Sequence, residues 1–157
     1  MYSLIGFQKS GKTTLGRMLA HRLGYDWLDT DIEIEKKTNI IAKEYYKTFG
    51  EAEFRKLESF IISGIVADKT VVSTGGGAVL YPANILHLKQ YGPVIYLSIS
   101  YSCYLQRQDE FPVFVANNLQ ECFVERAKRY EEYADYTINN DSLNTGFAEL
   151  IRICDGQ

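Results

Sequence analysis

The chain opens with a pattern of glycine, lysine and hydroxyl residues that is typical of phosphate binding. Residues 6–14 read GFQKSGKTT and contain G-x-x-x-x-G-K-[ST] as Gly6, Gly11, Lys12 and Thr13. In such a loop the backbone N–H groups point at phosphate oxygens, the lysine reaches the terminal phosphates and the hydroxyl binds Mg²⁺. We therefore predict a magnesium-dependent nucleotide site. Its phosphate contacts are expected from Gly6, Lys9, Ser10, Gly11, Lys12, Thr13 and Thr14.

A magnesium site also needs a carboxylate, and the stretch YDWLDTD supplies two, Asp29 and Asp31. Either acid alone could simply cap the helix that follows, where a carboxylate complements the helix dipole. The D-x-D spacing beside a nucleotide loop favours a chemical role. One acid would serve the metal, while the other would orient an acceptor hydroxyl and take its proton.

These residues must be positioned by a parallel sheet, because strand and helix patterns alternate along the chain. Such alternation predicts an α/β protein with three layers, a five-stranded parallel sheet between two layers of helices, with ligands at the carboxyl ends of the strands. Capping-box patterns begin at Thr30 and Asn118. Strands are predicted at 2–5, 25–29, 70–73, 93–98 and 136–139, and helices at 12–23, from 30, and at 39–49, 51–67, 82–90, 101–108, 118–133 and 143–153.

Composition limits the classes of function. A length of 157 residues suits one domain, and a net charge of −3 argues against a nucleic-acid partner. No apolar run approaches the roughly 18 residues of a membrane span, so no membrane partner is expected. A strand-like start leaves no room for a signal peptide, and the cysteines are isolated, so we expect reduced thiols and a cytoplasmic location.

The sequence resembles the shikimate kinases over nearly the whole chain. The resemblance is carried by the phosphate loop, by WLDTDIEIEKKTNIIAKEYYKTFGEAEFRKLE, by VVSTGGGAV, by VIYLSISYSCYLQR and by RAKRYEEYAD. It implies ATP-dependent phosphorylation of the 3-hydroxyl of shikimate with Mg²⁺. It also implies one P-loop NTPase domain over residues 1–157, close in fold to the nucleoside monophosphate kinases, with a lid at about 108–117, acting as a monomer.

The resemblance also implies roles for individual residues. Asp31 would bind the substrate hydroxyls and act as the base, Asp29 would order the metal and its waters, and Arg107 would lie near the adenine. Backbone approaches a ligand most closely where there is no side chain. The backbone against the substrate ring would come from Gly75, Gly76 and Gly77.

Two arginines would hold the substrate carboxylate by the same resemblance, and a guanidinium fork suits that task. Arg55 has Glu51 four residues before it and Glu58 three after it, so helix spacing alone favours a surface ion pair. Arg126 has no acid at either helical spacing, which makes it a better candidate for binding a ligand.

The sequence departs from the family at two places. The family's lid carries an arginine before a proline, whereas Phe111 precedes Pro112 here and no lysine or arginine occurs between Arg107 and Arg126. The family has a glycine where this chain has Lys9. Lys9 could point to solvent, or it could replace part of the charge missing from the lid. Alternatively, Arg107 could turn towards the phosphate.

Two other functions stay open from the residues. One is a different small-molecule kinase of the same loop class, acting on gluconate or a nucleoside. The other is a nucleotide-binding protein that has lost turnover, which the absent lid arginine would favour.

Overall fold

A computed structural model describes residues 1–107 and 118–156 of the chain. The described part contains one parallel sheet in the order β2–β3–β1–β4–β5. This confirms the predicted five-stranded parallel sheet. The strands are β1 (Tyr2–Ile5), β2 (Asp26–Asp29), β3 (Thr70–Ser73), β4 (Val94–Ser98) and β5 (Tyr136–Asn139).

Helices connect the strands and give the three predicted layers. A short 3₁₀ turn, Ala78–Leu80, follows the three glycines and was not anticipated from the sequence. The α-helices are α1 (Lys12–Leu23), α2 (Thr30–Thr38), α3 (Ala42–Ser63), α4 (Pro82–Lys89), α5 (Tyr101–Arg107), α6 (Leu119–Tyr133) and α7 (Leu143–Asp155).

Alternating side chains of the central strands build two cores, one on each face of the sheet. On β1, Leu4 belongs to the core covered by α1 and α7, while Ile5 belongs to the core covered by α3, α4 and α6. Val71 and Val72 of β3 divide in the same way. The central strand β1 is thus covered on both faces, which fixes its carboxyl end and the loop that leaves it.

The region predicted as two helices, 39–49 and 51–67, is assigned as α3, with a break at Gly50. Gly50 has φ 83°, a left-handed backbone conformation that glycine adopts readily. The helix ends at Ser63 rather than near 67. The helical turns after the break carry Phe54 into a small core with Ile34 and Ala42, which packs α2 against α3.

The two predicted capping boxes have different outcomes. Asn118 caps α6, since its side chain accepts a hydrogen bond from the N–H of Glu121. The prediction that Thr30 caps α2 is wrong. Asp29 is the cap, because its carboxylate accepts from the N–H of Asp31, and Thr30 is the first helical residue.

None of the helices in the described ranges is long and apolar enough to cross a membrane. The predicted lid at 108–117, including Phe111 and Pro112, lies outside the described residues. The prediction of one domain over residues 1–157, with a lid at about 108–117, therefore stays a prediction.

Candidate active site

The phosphate loop connects β1 to α1 and is shaped by close backbone packing. Gly6 and Gly11 have φ values of 150° and 93°. A Cβ atom at Gly6 would lie 2.6 Å from the carbonyl oxygen of Leu97, and one at Gly11 would overlap the side-chain amide of Asn140. The two motif glycines are therefore required by backbone conformation and by space.

Lys12 is buried in this loop, and its ammonium group stays close to the backbone. Its Nζ donates to the carbonyl oxygens of Gly6 and Phe7, both at 2.8 Å. Burial lowers the pKa of Lys12 to about 8, although the Asp31 and Asp29 carboxylates oppose this shift. The ammonium group is thus held at the loop by backbone carbonyls and by nearby negative charge.

Asp29 has both of the roles that the sequence allowed, since it caps α2 and also belongs to the candidate magnesium site. One carboxylate oxygen accepts from the N–H of Asp31 at 3.0 Å and caps α2. The other accepts from the hydroxyl of Thr13 at 2.9 Å. The cap therefore places a carboxylate directly against the hydroxyl of the phosphate loop, and such oxygen donors suit Mg²⁺.

Asp31 follows two residues after Asp29 and is half-buried. Its pKa is raised to about 7, mainly by burial and further by the neighbouring carboxylates of Asp29 and Glu58, against the charges of Lys12 and Arg55. A carboxylate with a pKa near neutrality is suited to accept a proton from a hydroxyl.

Arg55 is not on the surface. It is 3% exposed, and its Nη1 lies 2.6 Å from Oε2 of Glu58, which is fully buried. The expectation of a surface pair is therefore wrong about burial, although Glu58 is the partner that helix spacing indicated. The charge of Glu58 raises the pKa of Arg55 despite the opposing effect of burial.

Each of the three consecutive glycines has its own steric reason. A Cβ at Gly77 would overlap the guanidinium of Arg55, and one at Gly75 would lie 2.5 Å from Oε1 of Glu58 and 3.0 Å from Oδ1 of Asp31. A Cβ at Gly76 would crowd the phosphate-loop backbone, 3.2 Å from the N atom of Gln8. This segment therefore packs tightly between the acids, the arginine and the phosphate loop.

Arg126 reaches the same place from α6. It is 8% exposed, and its guanidinium carbon lies 5.6 Å from the centre of the Phe7 ring. Together these groups enclose a pocket of ≈ 80 Å³. Its polar lining includes Asp31, Arg55, Glu58 and Arg126, with Gly75, Gly76 and Gly77 along one wall.

A second pocket of ≈ 450 Å³ is lined by residues of the phosphate loop. Arg107 borders it and donates to the carbonyl oxygens of Lys9 (3.3 Å), Asn140 (2.6 Å) and Asp141 (2.9 Å). The predicted loop residues that line this pocket are Lys9, Gly11, Lys12, Thr13 and Thr14. Gly6 and Ser10 are buried within the loop itself.

Sequence reasoning missed two residues that hold this site together. Asn140 is fully buried, and its side-chain N–H donates to the carbonyl of Ser10 at 2.7 Å, which ties the phosphate loop to the end of β5. Its position just after a strand was the available signal, since ligand sites gather at the carboxyl ends of parallel strands. Thr30 accepts from the N–H of Gly75 at 2.8 Å and joins the D-T-D segment to the glycines.

Tyr130 and Glu58 also support the site without having been singled out. The Tyr130 hydroxyl donates to the carbonyl of Gly76. Tyr130 lies one helical turn after Arg126, so α6 supplies both a ligand candidate and a support for the glycines. The R-x-x-x-Y spacing was the signal that could have identified this residue.

A phosphate loop at the end of β1, a paired-acid segment at the end of β2 and an adjoining pocket with two buried arginines define a P-loop kinase of small molecules. The shikimate kinase family model matches residues 9–154. The shikimate kinase of Thiobacillus denitrificans is 37% identical, with 98% of this chain and 87% of that protein covered. The chain therefore belongs to the shikimate kinase family, and it is an ATP-using kinase.

Solved structures agree with this assignment. A shikimate kinase from Aquifex aeolicus superposes with a TM-score of 0.84 at 28% identity, covering 99% of this chain and 96% of that one. The shikimate kinase from Acinetobacter baumannii in complex with shikimate has a TM-score of 0.79 at 35% identity, covering 87% and 81% of the two chains.

Proposed function

We propose that this protein transfers the γ-phosphoryl group of ATP to the 3-hydroxyl of shikimate and forms shikimate 3-phosphate. The observation that carries the proposal is the pocket beside the phosphate loop, where two buried guanidinium groups meet the carboxylates of Asp31 and Glu58, both of raised pKa. A small acceptor with one carboxylate and several hydroxyls matches that set of charges.

Recognition of the acceptor falls to Arg55 and Arg126. Burying a guanidinium group without a counter-charge costs free energy, and Glu58 supplies that charge to Arg55. Arg55 and Arg126 still line the same pocket. The substrate carboxylate would supply the further negative charge, in charge-assisted hydrogen bonds. The backbone of Gly75, Gly76 and Gly77 would then face the ring of the acceptor.

Transfer would occur in line across the edge of the phosphate loop. Asp31 would orient the acceptor hydroxyl and take its proton, while Lys12 and the loop amides would stabilise charge on the phosphate oxygens. Asp29 connects the two sides of this site, because its carboxylate accepts from the N–H of Asp31 and from the hydroxyl of Thr13, the residue after Lys12.

The oxygen atoms of Thr13 and Asp29 fit a magnesium ion, which these residues would hold and which would supply positive charge to neutralise the phosphates. No cluster of three or more acidic, histidine or cysteine side chains suited to a metal occurs in the described ranges. A site with few protein ligands is the kind expected when phosphates and waters complete the coordination of Mg²⁺.

The other candidate functions have less support. A nucleoside offers no carboxylate for Arg55 and Arg126. A nucleotide-binding protein without catalytic activity would not need catalytic side chains held together. Here Asp29 is hydrogen-bonded to Thr13 and Asp31, and Lys12 lies beside them at the carboxyl ends of the strands. A cytoplasmic location, a monomeric state and the absence of a nucleic-acid or membrane partner stay predictions.

A coupled assay of ADP release with shikimate, gluconate and a nucleoside tests the proposal. We expect ADP release with shikimate and none with gluconate or the nucleoside. The Lys12→Met variant, purified identically, controls for contaminating ATPases. Release with gluconate or the nucleoside but not with shikimate would replace the proposed acceptor. ATP binding without release for any acceptor would favour a binding protein.

A further inference from the structure

We propose that Lys9 is a second phosphate-binding cation of the loop, whose ammonium group contacts the terminal phosphate of the nucleotide and stabilises it during transfer. This inference rests on the proposed function for its catalytic part. Its binding part requires only that the loop holds ATP.

The first support is the backbone conformation of Lys9. Its φ is 61°, in the left-handed region, where a residue with a Cβ atom is disfavoured by roughly 1–2 kcal/mol. In the described part of the chain, the one other residue of this kind that is not glycine is Asn39, a residue type that tolerates the conformation. Glycine would relieve the strain at position 9, and a strained residue beside a ligand site is a candidate for a functional role.

The second support is location. Lys9 borders the ≈ 450 Å³ pocket together with Lys12, Thr13 and Thr14, which include the lysine and the hydroxyl of the phosphate motif. Its carbonyl accepts from Arg107, and the following N–H, of Ser10, donates to Phe7 at 3.2 Å. Backbone contacts on both sides therefore fix where the flexible lysine side chain begins, at the rim of the nucleotide pocket.

The third support is the distribution of positive charge. Phosphoryl transfer needs cations at the terminal phosphate. The described cations that line this pocket are Lys9, Lys12 and Arg107. Arg107 is engaged by three backbone carbonyls, which disfavours the alternative that it turns towards the phosphate. The sequence offers no lysine or arginine between Arg107 and Arg126.

Three substitutions test the proposal: Lys9→Gly, Lys9→Met and Lys9→Arg. Without the cation, we expect kcat to fall about 10–100-fold. The preference for ATP over ADP, measured as the ratio of their Kd values, should fall at least about fivefold. Lys9→Arg should retain most of both. Lys9→Gly should also raise the melting temperature, because it relieves the left-handed conformation.

Lys69→Gly is the matched control, since it removes an exposed loop lysine just before β3, at the opposite edge of the sheet. It should leave kcat and the Kd ratio unchanged. A Lys9→Gly enzyme with kcat and ATP preference within about twofold of the unmodified protein would overturn the proposal. So would Lys9→Arg behaving like Lys9→Met.

The two proposals can fail separately. If the unmodified protein releases no ADP with shikimate, the proposed function fails. The Kd ratio for ATP and ADP still tests Lys9, because it needs no acceptor. An unchanged ratio in Lys9→Met would then overturn the inference, and a reduced ratio would support it.

Discussion

Arg55 and Glu58 form a fully enclosed ion pair, 2.6 Å from nitrogen to oxygen, one turn apart on α3. Glu58 is also close to Asp31, since Gly75 is the residue that separates the two carboxylates. The pair therefore belongs to the acceptor pocket and links the group proposed to bind the substrate carboxylate to the group proposed to take the proton.

Arg55→Lys should weaken acceptor binding selectively. A lysine keeps the charge but loses the planar fork, so we expect KM for shikimate to rise about 10–100-fold, with KM for ATP within about twofold. Arg129→Lys is the matched control, because Arg129 is exposed on α6 near Arg126. Initial-rate kinetics measure both constants. Equal increases in the two KM values would contradict a role confined to the acceptor.

Gly77→Ala should damage the same pocket from the opposite wall. The added Cβ would overlap the Arg55 guanidinium, so the arginine must shift. We expect a rise of at least about tenfold in KM for shikimate and a loss of about 1–3 kcal/mol in the free energy of unfolding. Denaturant titration and kinetics measure these two effects.

The control for Gly77→Ala is Gly64→Ala. Gly64 lies at the end of α3 with right-handed φ and ψ angles, and a Cβ there would be 3.4 Å from its nearest neighbour, the carbonyl oxygen of Ile61. Neither activity nor KM should change. An inactive Gly64→Ala enzyme would show that α3 responds to any substitution, and the inference from Gly77 would fail.

The raised pKa of Asp31 predicts a pH dependence of catalysis. Because the carboxylate must be deprotonated to accept a proton, kcat/KM for shikimate should rise with pH through about 7. Asp31→Asn should lower kcat about 10²–10⁴-fold with ATP affinity changed little. The variant's remaining rate should lack this pH step. A parallel loss of ATP affinity would contradict the assignment of Asp31 to the acceptor.

Asp31 should lower the free energy of unfolding when it is ionised. This pH dependence is opposite to that of most acids, whose pKa falls on folding. Its pKa is raised from 3.8 to about 7 on folding, so the folded chain retains a proton that the unfolded chain releases between these values. The free energy of unfolding therefore falls as pH rises through this window. Asp31→Asn should stabilise the protein at pH 8 and have no effect below pH about 4. Melting temperatures at the two pH values measure the difference.

Asn140→Ala should loosen the phosphate loop. The change removes a buried donor to the Ser10 carbonyl and should cost about 1–3 kcal/mol of unfolding free energy. KM for ATP should rise more than KM for shikimate, since Asn140 borders the nucleotide pocket. Asn144→Ala, at an exposed position of α7, controls for the loss of an asparagine. A larger effect on shikimate than on ATP would contradict this prediction.

The sequence predicted the sheet and the phosphate loop because these depend on local patterns. Strand runs such as VIYLS, and glycines at fixed spacing before Lys12, carry their structural reason within a few residues. The burial of Arg55 could not be predicted in this way, because helix spacing does not tell which face packs against the glycine segment. Asn140 and Tyr130 contact loops 130 and 54 residues away in sequence, and only the completed topology brings them there.

The most direct measurement of the central claim is the position of the phosphate in the product. Shikimate, ATP and Mg²⁺ are incubated with the protein, and phosphorus–proton coupling is recorded by NMR. We predict equimolar ADP and a phosphoester whose phosphorus couples to the proton on carbon 3 of the ring. Coupling to a proton on another carbon, or release of inorganic phosphate with shikimate unchanged, would contradict the account.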